Sequence, residues 1–175
     1  MMRRKMFVAL VLVPACGGTP PPKSSPDPAA ASTADVAAAP DPEPAGPTPA
    51  EKCLADANAE IPAPIAIPSD VTVSHVLVKH VDAKQAEGIE RSREEACLRA
   101  EEALASMKKG MGFEEAVAAF SDSKGAETTG GLIGKVKKGD LGDDRLQEAA
   151  FALSVNQVSN VVESSFGFHI ILRTR

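Results

Sequence analysis

Apolar and polar residues recur with two different periods in the second half of the chain, and these periods predict strands and helices. Val71 to Val81 is rich in β-branched residues and predicts a strand. Ser92 to Lys109 has apolar residues at helical spacing, and Ser92 with Glu95 forms a capping-box pattern at its start. Phe113 to Phe120 predicts a second, shorter helix, because its large apolar residues fall on one side.

The rest of the pattern predicts a polar loop over 121–131, one more helix and three more strands. The helix is predicted over Asp144 to Leu153, and the last two strands are predicted to join at a turn around Ser164 to Gly167. The three strands are Leu132 to Lys138, Val158 to Val162 and Phe168 to Arg173. The order β-α-α-β-α-β-β predicts an α+β domain with helices packed on a small mixed or antiparallel sheet.

The first residues have the pattern of an export signal. Basic residues at positions 3–5 precede an apolar run over 6–13. This run is too short to span a bilayer, which takes about 20 apolar residues, so residues 1–15 predict a cleaved signal peptide. The motif VPAC ending at Cys16 resembles a bacterial lipobox, in which the cysteine is lipidated. The alternative is an ordinary secretory signal in which Cys16 is incidental.

A proline-rich segment separates this signal from the periodic region. Ten of the 14 prolines lie between Pro20 and Pro49. Residues 16–50 cannot bury enough apolar area to offset their ordering entropy, which predicts a disordered tether. Residues 51–70 contain three further prolines and are expected to form an extended transition segment without a helix. The folded domain is therefore expected over residues 71–175.

Charge and cysteine content narrow the function classes. The formal net charge of −5 gives no reason to expect a nucleic-acid partner. His75 and His169 lie in predicted strands with no third ligand near them in the sequence, so we expect no metal site. Cys53 and Cys97 are the thiols left if Cys16 is lipidated. In an oxidising compartment they predict a disulfide that joins the transition segment to the first helix, and two free thiols are the alternative.

Six segments, in order, resemble the parvulin-type peptidyl-prolyl cis/trans isomerases, and the resemblance covers residues 72–175. The first three are SHVLVKH, RSREEA and FEEAVAAFSDS. The last three are GGLIGKVKKGDL, LQEAAFAL and VSNVVESSFGFHIILRTR. The resemblance implies a four-stranded sheet flanked by helices, with a shallow cleft that binds proline.

The resemblance also implies roles for individual residues. His75 and His169 match the paired histidines of two central strands, where they act directly or support the site. Ser123 stands where parvulins usually carry Cys or Asp, and the neighbouring Asp122 is a possible substitute. The residues that the resemblance places at the substrate are the apolar wall of Ile133, Leu141 and Leu146, together with Phe168 and the hairpin-turn Ser164.

The expected function is prolyl isomerisation in exported proteins, without a cofactor and as a monomer. Its partners are Pro-containing polypeptides and, through lipidated Cys16, the bacterial outer membrane facing the periplasm. A weakly active chaperone or adaptor that binds Pro-containing extended segments is the alternative. The loop after the first strand has few basic residues, which predicts no phospho-Ser/Thr requirement. Lys79 is expected to be an exposed strand-end lysine, and His80 a surface or loop-anchoring residue.

Cys16→Ala is expected to release the protein from membranes, because stable anchoring depends on the acyl chains attached to that thiol. Fractionation of cells expressing wild type and variant measures the release, and incorporation of labelled fatty acid measures the lipid. A wild-type protein that takes up no label would contradict the lipoprotein interpretation.

Overall fold

The computed structural model describes residues 46–64 and 68–175. Signal, lipidation and most tether predictions, including that for Cys16, lie outside these residues. No helix in the described part is long and apolar enough to cross a bilayer. The helices are α1 (Pro49–Ala57), α2 (Arg93–Lys108), α3 (Phe113–Phe120), α4 (Ala126–Thr129) and α5 (Asp144–Ala152). The strands are β1 (Asp70–Val78), β2 (Leu132–Lys137), β3 (Val162–Ser164) and β4 (Gly167–Arg173).

The four strands form one sheet in the order β2-β1-β4-β3, and every neighbouring pair is antiparallel. The central strands β1 and β4 are the ones that carry His75 and His169. Their register sets His75 opposite Ile171 and Leu77 opposite His169. The predicted α+β fold with a four-stranded sheet and flanking helices is therefore confirmed.

Helices cover both faces of the sheet, which gives two apolar cores. On one face Val76, Val78, Phe168 and Ile170 pack with residues of α1, α2 and α3. On the other face strand residues such as Val73 pack with residues of α5. Successive strand residues point to opposite faces, so the central strands are apolar almost throughout.

Local signals set most boundaries as predicted. Ser92 caps α2 in the capping box with Glu95 that the sequence indicated. Two details differ from the prediction: the loop over 121–131 contains the short helix α4, and the strand expected from Val158 forms a single bridge to Leu172 before β3 begins. There the Ser159 hydroxyl accepts the Ile171 N–H at 2.9 Å, taking the place of a ladder hydrogen bond.

The expectation of an extended segment over 51–70 is wrong at its start, because α1 runs through residue 57. Thr48 caps this helix in a capping box with Glu51, and Pro49 occupies the first turn, where a missing N–H costs nothing. The prolines that argued against a helix begin only at Pro62, after the helix has ended.

The predicted disulfide between Cys53 and Cys97 is confirmed, with the two sulfurs 1.96 Å apart. It joins α1 to α2, and both cysteines are buried in the core that these helices share. The cross-link therefore fixes the helix that follows the tether to the body of the domain.

Replacing both cysteines by alanine is expected to lower the free energy of unfolding by about 2–4 kcal/mol, because the bond closes a long loop in the unfolded chain. The two positions are 44 residues apart in the sequence. Denaturant unfolding with and without reductant measures the difference. Reductant should destabilise wild type and leave the double variant unchanged, and equal stability of the two oxidised proteins would contradict the prediction.

Candidate active site

The centre of the site is a chain of hydrogen bonds through two histidines. His75 Nδ1 lies 3.2 Å from His169 Nδ1, and His169 Nε2 lies 2.7 Å from the Ser164 hydroxyl. The Phe166 N–H donates to that hydroxyl at 3.0 Å. The structure thus brings together three predicted site residues that come from β1, β4 and the end of β3.

A close backbone approach fixes the position of His75. Its N–H donates to the Gly131 carbonyl at 2.8 Å. Gly131 has φ of +71°, and a Cβ at this position would lie 2.3 Å from the His75 carbonyl oxygen. Only glycine fits there, which gives the second glycine of the GGLIG motif its role.

Both imidazoles are neutral at neutral pH. Burial lowers the pKa of His75 from its ordinary value to about 4. Burial, reinforced by the neighbouring His75 and opposed by Asp143, lowers the pKa of His169 to about 3. A neutral imidazole has one N–H donor and one acceptor nitrogen. The two rings can therefore donate and accept hydrogen bonds in series without carrying charge.

The loop that carries Ser123 is attached to β1 close to the histidines. The Leu77 N–H donates to the Ser121 hydroxyl at 3.2 Å, and the Asp122 N–H donates to the Leu77 carbonyl at 2.7 Å. The Ser123 N–H in turn donates to Ser121 at 3.3 Å. Since Leu77 pairs with His169 across the sheet, the loop is anchored beside the pair.

The carboxylate of Asp122, the expected substitute for Ser123, already has partners within the protein. Its carboxylate forms an ion pair with Arg91 and accepts the Lys79 N–H at 2.9 Å. These partners belong to the end of β1 and the loop that follows it. The Asp122 carboxylate therefore holds the loop after β1 in place.

The three residues expected to form an apolar wall differ in exposure. Ile133 lies at a bulge, because Val73 pairs with Gly134 while Ser74 pairs with Leu132, and its side chain is 38% exposed. Leu141 is half-buried. Leu146 is only 4% exposed and packs in the α5 core together with Leu141.

Phe168 is not at the cleft, which corrects the expectation that it contacts substrate. It is 0% exposed and belongs to the core on the face opposite to His169. His169, the next residue along β4, points to the other face because side chains alternate across a sheet.

Two residues at the end of β1 are also more buried than expected. His80 is 7% exposed, and its ring is tilted against that of Phe168, with the centroids 6.0 Å apart, so it is no surface residue. Lys79 is buried as well, and its ammonium donates to the Gln85 carbonyl at 2.6 Å. The Lys79 side chain thus holds the β1–α2 connection.

Comparison with known proteins agrees with this geometry. The PPIC-type PPIase domain family (Rotamase) matches residues 75–175. The chain belongs to this family. Its parvulin domain resembles the peptidyl-prolyl isomerase ESS1 from Candida albicans, with a TM-score of 0.58 and 32% identity, over 61% of this chain and 63% of that one.

Curated relatives of the parvulin domain come from distant organisms. The putative peptidyl-prolyl cis-trans isomerase dodo of Drosophila melanogaster is 36% identical over 112 residues, which are 61% of this chain and 66% of that protein. The foldase protein PrsA of Bacillus subtilis is 32% identical over 104 residues, 59% of this chain and 30% of that protein. The chain thus spans less than two thirds of these relatives' lengths.

Sequence reasoning missed two residues that order the parvulin site. Arg91 pairs with Asp122, and no local pattern indicates this contact across 31 residues. Asp143 caps α5 and also accepts the Ser165 N–H from the β3–β4 turn at 3.0 Å. An aspartate just before a predicted helix is a recognised start signal, so the cap, unlike the second contact, could have been found.

Acidification is expected to destabilise the domain through the histidine pair. The unfolded chain has histidine pKa values near 6.5 and the folded values are lower, so protons bind the unfolded chain more strongly. The stability contributed by neutral histidines is complete above about pH 6.5 and is lost as the pH falls toward 4, each group adding a slope of up to about 1.4 kcal/mol per pH unit.

Denaturant unfolding between about pH 7 and pH 5 measures this slope, above the range in which carboxylates titrate. His75→Asn is expected to flatten the slope. Ser123→Ala retains both histidines and serves as the control with wild-type pH dependence. Equal slopes for His75→Asn and wild type would show that the pair is not the source.

Proposed function

We propose that this chain is a peptidyl-prolyl cis/trans isomerase that acts as a monomer on Pro-containing polypeptides. The observation that carries the proposal is the neutral, hydrogen-bonded His75–His169–Ser164 chain. A single copy of the domain supplies all of these groups. Membership in the PPIC-type family supports the same reaction.

The reaction requires the enzyme to bind a twisted amide better than a planar one. An X-Pro bond isomerises over a barrier of about 18–20 kcal/mol because amide resonance is lost at the transition state. No covalent bond to the substrate forms or breaks, so the chemistry calls for no cofactor. Lowering the barrier by about 5 kcal/mol would accelerate the reaction several-thousandfold.

The residues of the proposed cleft have different roles in binding the twisted amide. Ile133 and Leu141 grip the proline ring and remove water from the amide, and the buried Leu146 supports Leu141 from the core. Removal of water favours the less polar twisted form. Uncharged hydrogen-bonding groups fit a transition state in which no full charge develops. In this scheme Ser123 is a hydroxyl partner for the substrate backbone, and His75 and His169 hold the sheet and its hydrogen bonds in place.

A peptide-binding chaperone of low activity is the second candidate. Two observations favour it: Asp122 is occupied by Arg91, and Leu146 is almost completely buried. A serine in place of a thiol or carboxylate and a smaller wall would weaken transition-state binding more than peptide binding.

We also propose that the reaction has no phospho-Ser/Thr requirement. The basic side chains around the β1–α2 loop are engaged by the protein itself. Lys79 bonds the Gln85 carbonyl, Arg91 pairs with Asp122, and the Lys84 ammonium lies 5.4 Å from the Phe166 ring centroid. A phosphate site usually needs clustered cations that are available to the ligand.

The proposed place of action is the bacterial envelope, with Cys16 lipidated and the domain tethered at the periplasmic side of the outer membrane. The Cys53–Cys97 disulfide supports an oxidising compartment. Similarity to a bacterial protein named foldase PrsA supports a role in protein folding. Separation of inner and outer membranes tests the placement at the outer membrane.

Isomerisation of X-Pro peptides, followed by exchange NMR, tests the function. Wild type is expected to accelerate exchange, equally for Ser-Pro and phosphoserine-Pro peptides. Leu141→Ala is expected to lower the rate about tenfold because it removes part of the wall. Val155→Ala removes an exposed apolar side chain outside the site and is the matched control.

Two outcomes would contradict the proposal. If wild type binds the peptides without accelerating exchange, the chaperone function stands instead. If only the phosphorylated peptide reacts, the assignment of the β1–α2 loop is wrong.

A further inference from the structure

Asp143 connects two parts of the proposed cleft that are far apart in the sequence. One carboxylate oxygen, Oδ1, accepts the N–H groups of Arg145 and Leu146 at 3.1 and 3.2 Å. The other, Oδ2, accepts the N–H of Ser165 at 3.0 Å, 22 residues away. The first oxygen therefore caps α5, and the second holds the β3–β4 turn.

Each of these two elements carries one half of the cleft. The first turn of α5 carries Leu146 of the apolar wall, and Leu141 lies in the connection just before it. The turn directly follows Ser164, the last residue of β3, whose hydroxyl bonds His169. Asp143 joins the backbone of α5, which carries Leu146, to the backbone of the turn next to Ser164. This junction therefore sets the distance between the apolar wall and the His169–Ser164 hydrogen bond.

The charge of Asp143 acts in the same place. Although burial opposes it, N–H donation from Ser165 and from the first turn of α5 lowers the pKa of this carboxyl below its ordinary value. Its negative charge also opposes the lowering of the His169 pKa. The carboxylate is therefore ionised at neutral pH, and hydrogen bonds to ionised acceptors are the stronger kind.

We propose that Asp143 is a positioning residue for prolyl isomerisation, which fixes the apolar wall at the distance from the His169–Ser164 chain that the twisted amide requires. The inference rests on the proposed function. A side chain that only capped the helix would need one oxygen, whereas Asp143 uses both, on two separate elements. The hydrogen bond from the Ser165 N–H to Oδ2 is the one that links Asp143 to the cleft.

Two substitutions separate the cap from the bridge. Asp143→Asn keeps one oxygen for α5 and presents an amide N–H₂ to Ser165, and Asp143→Ser caps α5 but is too short to span to the turn. Asp144→Asn changes the neighbouring exposed carboxylate in the same way and is the matched control. All three proteins are expected to fold with unfolding midpoints near that of wild type.

The expected result is a loss of catalytic efficiency without a loss of peptide binding. Both Asp143 variants should lower kcat/KM about tenfold while the peptide Kd changes less than about twofold, because the groups that act in the transition state are displaced. In a Ser164→Ala background the loss from Asp143→Asn should shrink below about threefold, since the two residues act through one turn. The ¹⁵N signals of the His169 imidazole should shift in both Asp143 variants and stay unchanged in Asp144→Asn.

Several outcomes would overturn the proposal. Wild-type kcat/KM in both Asp143 variants would do so, as would full additivity with Ser164→Ala or unchanged His169 signals, each of which reduces Asp143 to a helix cap. If wild type itself accelerates no exchange, the proposed function fails. The His169 signals then still decide whether Asp143 controls the geometry of the polar chain.

Discussion

The antiparallel pairing of β1 with β4 brings together two histidines that are 94 residues apart, and the rest of the structure is arranged around this contact. In the register, His75 and His169 are diagonal neighbours on one face, where side chains of central strands come within reach of each other. Helices cover both faces, so His169 is fully buried, while His75 is half-buried. Burial then keeps both rings uncharged and makes their hydrogen bonds with each other and with Ser164 obligatory.

Three connections hold the functional loops against this sheet. Ser121 and Asp122 attach the loop before α4 to Leu77, and Arg91 attaches the β1–α2 loop to Asp122. Asp143 attaches the β3–β4 turn to α5. These connections join backbone N–H groups or a cation to side-chain oxygens and, for Asp122, to the Leu77 carbonyl, so directional hydrogen bonds fix the loops where little apolar area is available. The polar side chains around the cleft therefore serve mainly to hold loops in place.

The parts that could be predicted from the sequence are those set by neighbouring residues. The capping box at Ser92 and the apolar periodicity of α3 and α5 are local, and the predicted elements agree with them. The disulfide also followed from counting thiols in an oxidising compartment. The error over residues 51–70 has a local cause. Pro62 and Pro64 led to the prediction of an extended segment despite a complete capping box at Thr48, although a proline affects only the turns beside it.

By itself the sequence determined the order of elements, the strand positions of His75 and His169 and the apolar character of the wall, because these depend on periodicity and residue type. Only the tertiary structure decided which side chains share a face or a partner. Phe168 and His169 are adjacent in the chain and point to opposite faces of the sheet, and the Asp122 carboxylate is paired with Arg91. Asp143 reaches both a helix and a distant turn. Such contacts depend on strand register and loop packing, which are fixed only when the whole domain has folded.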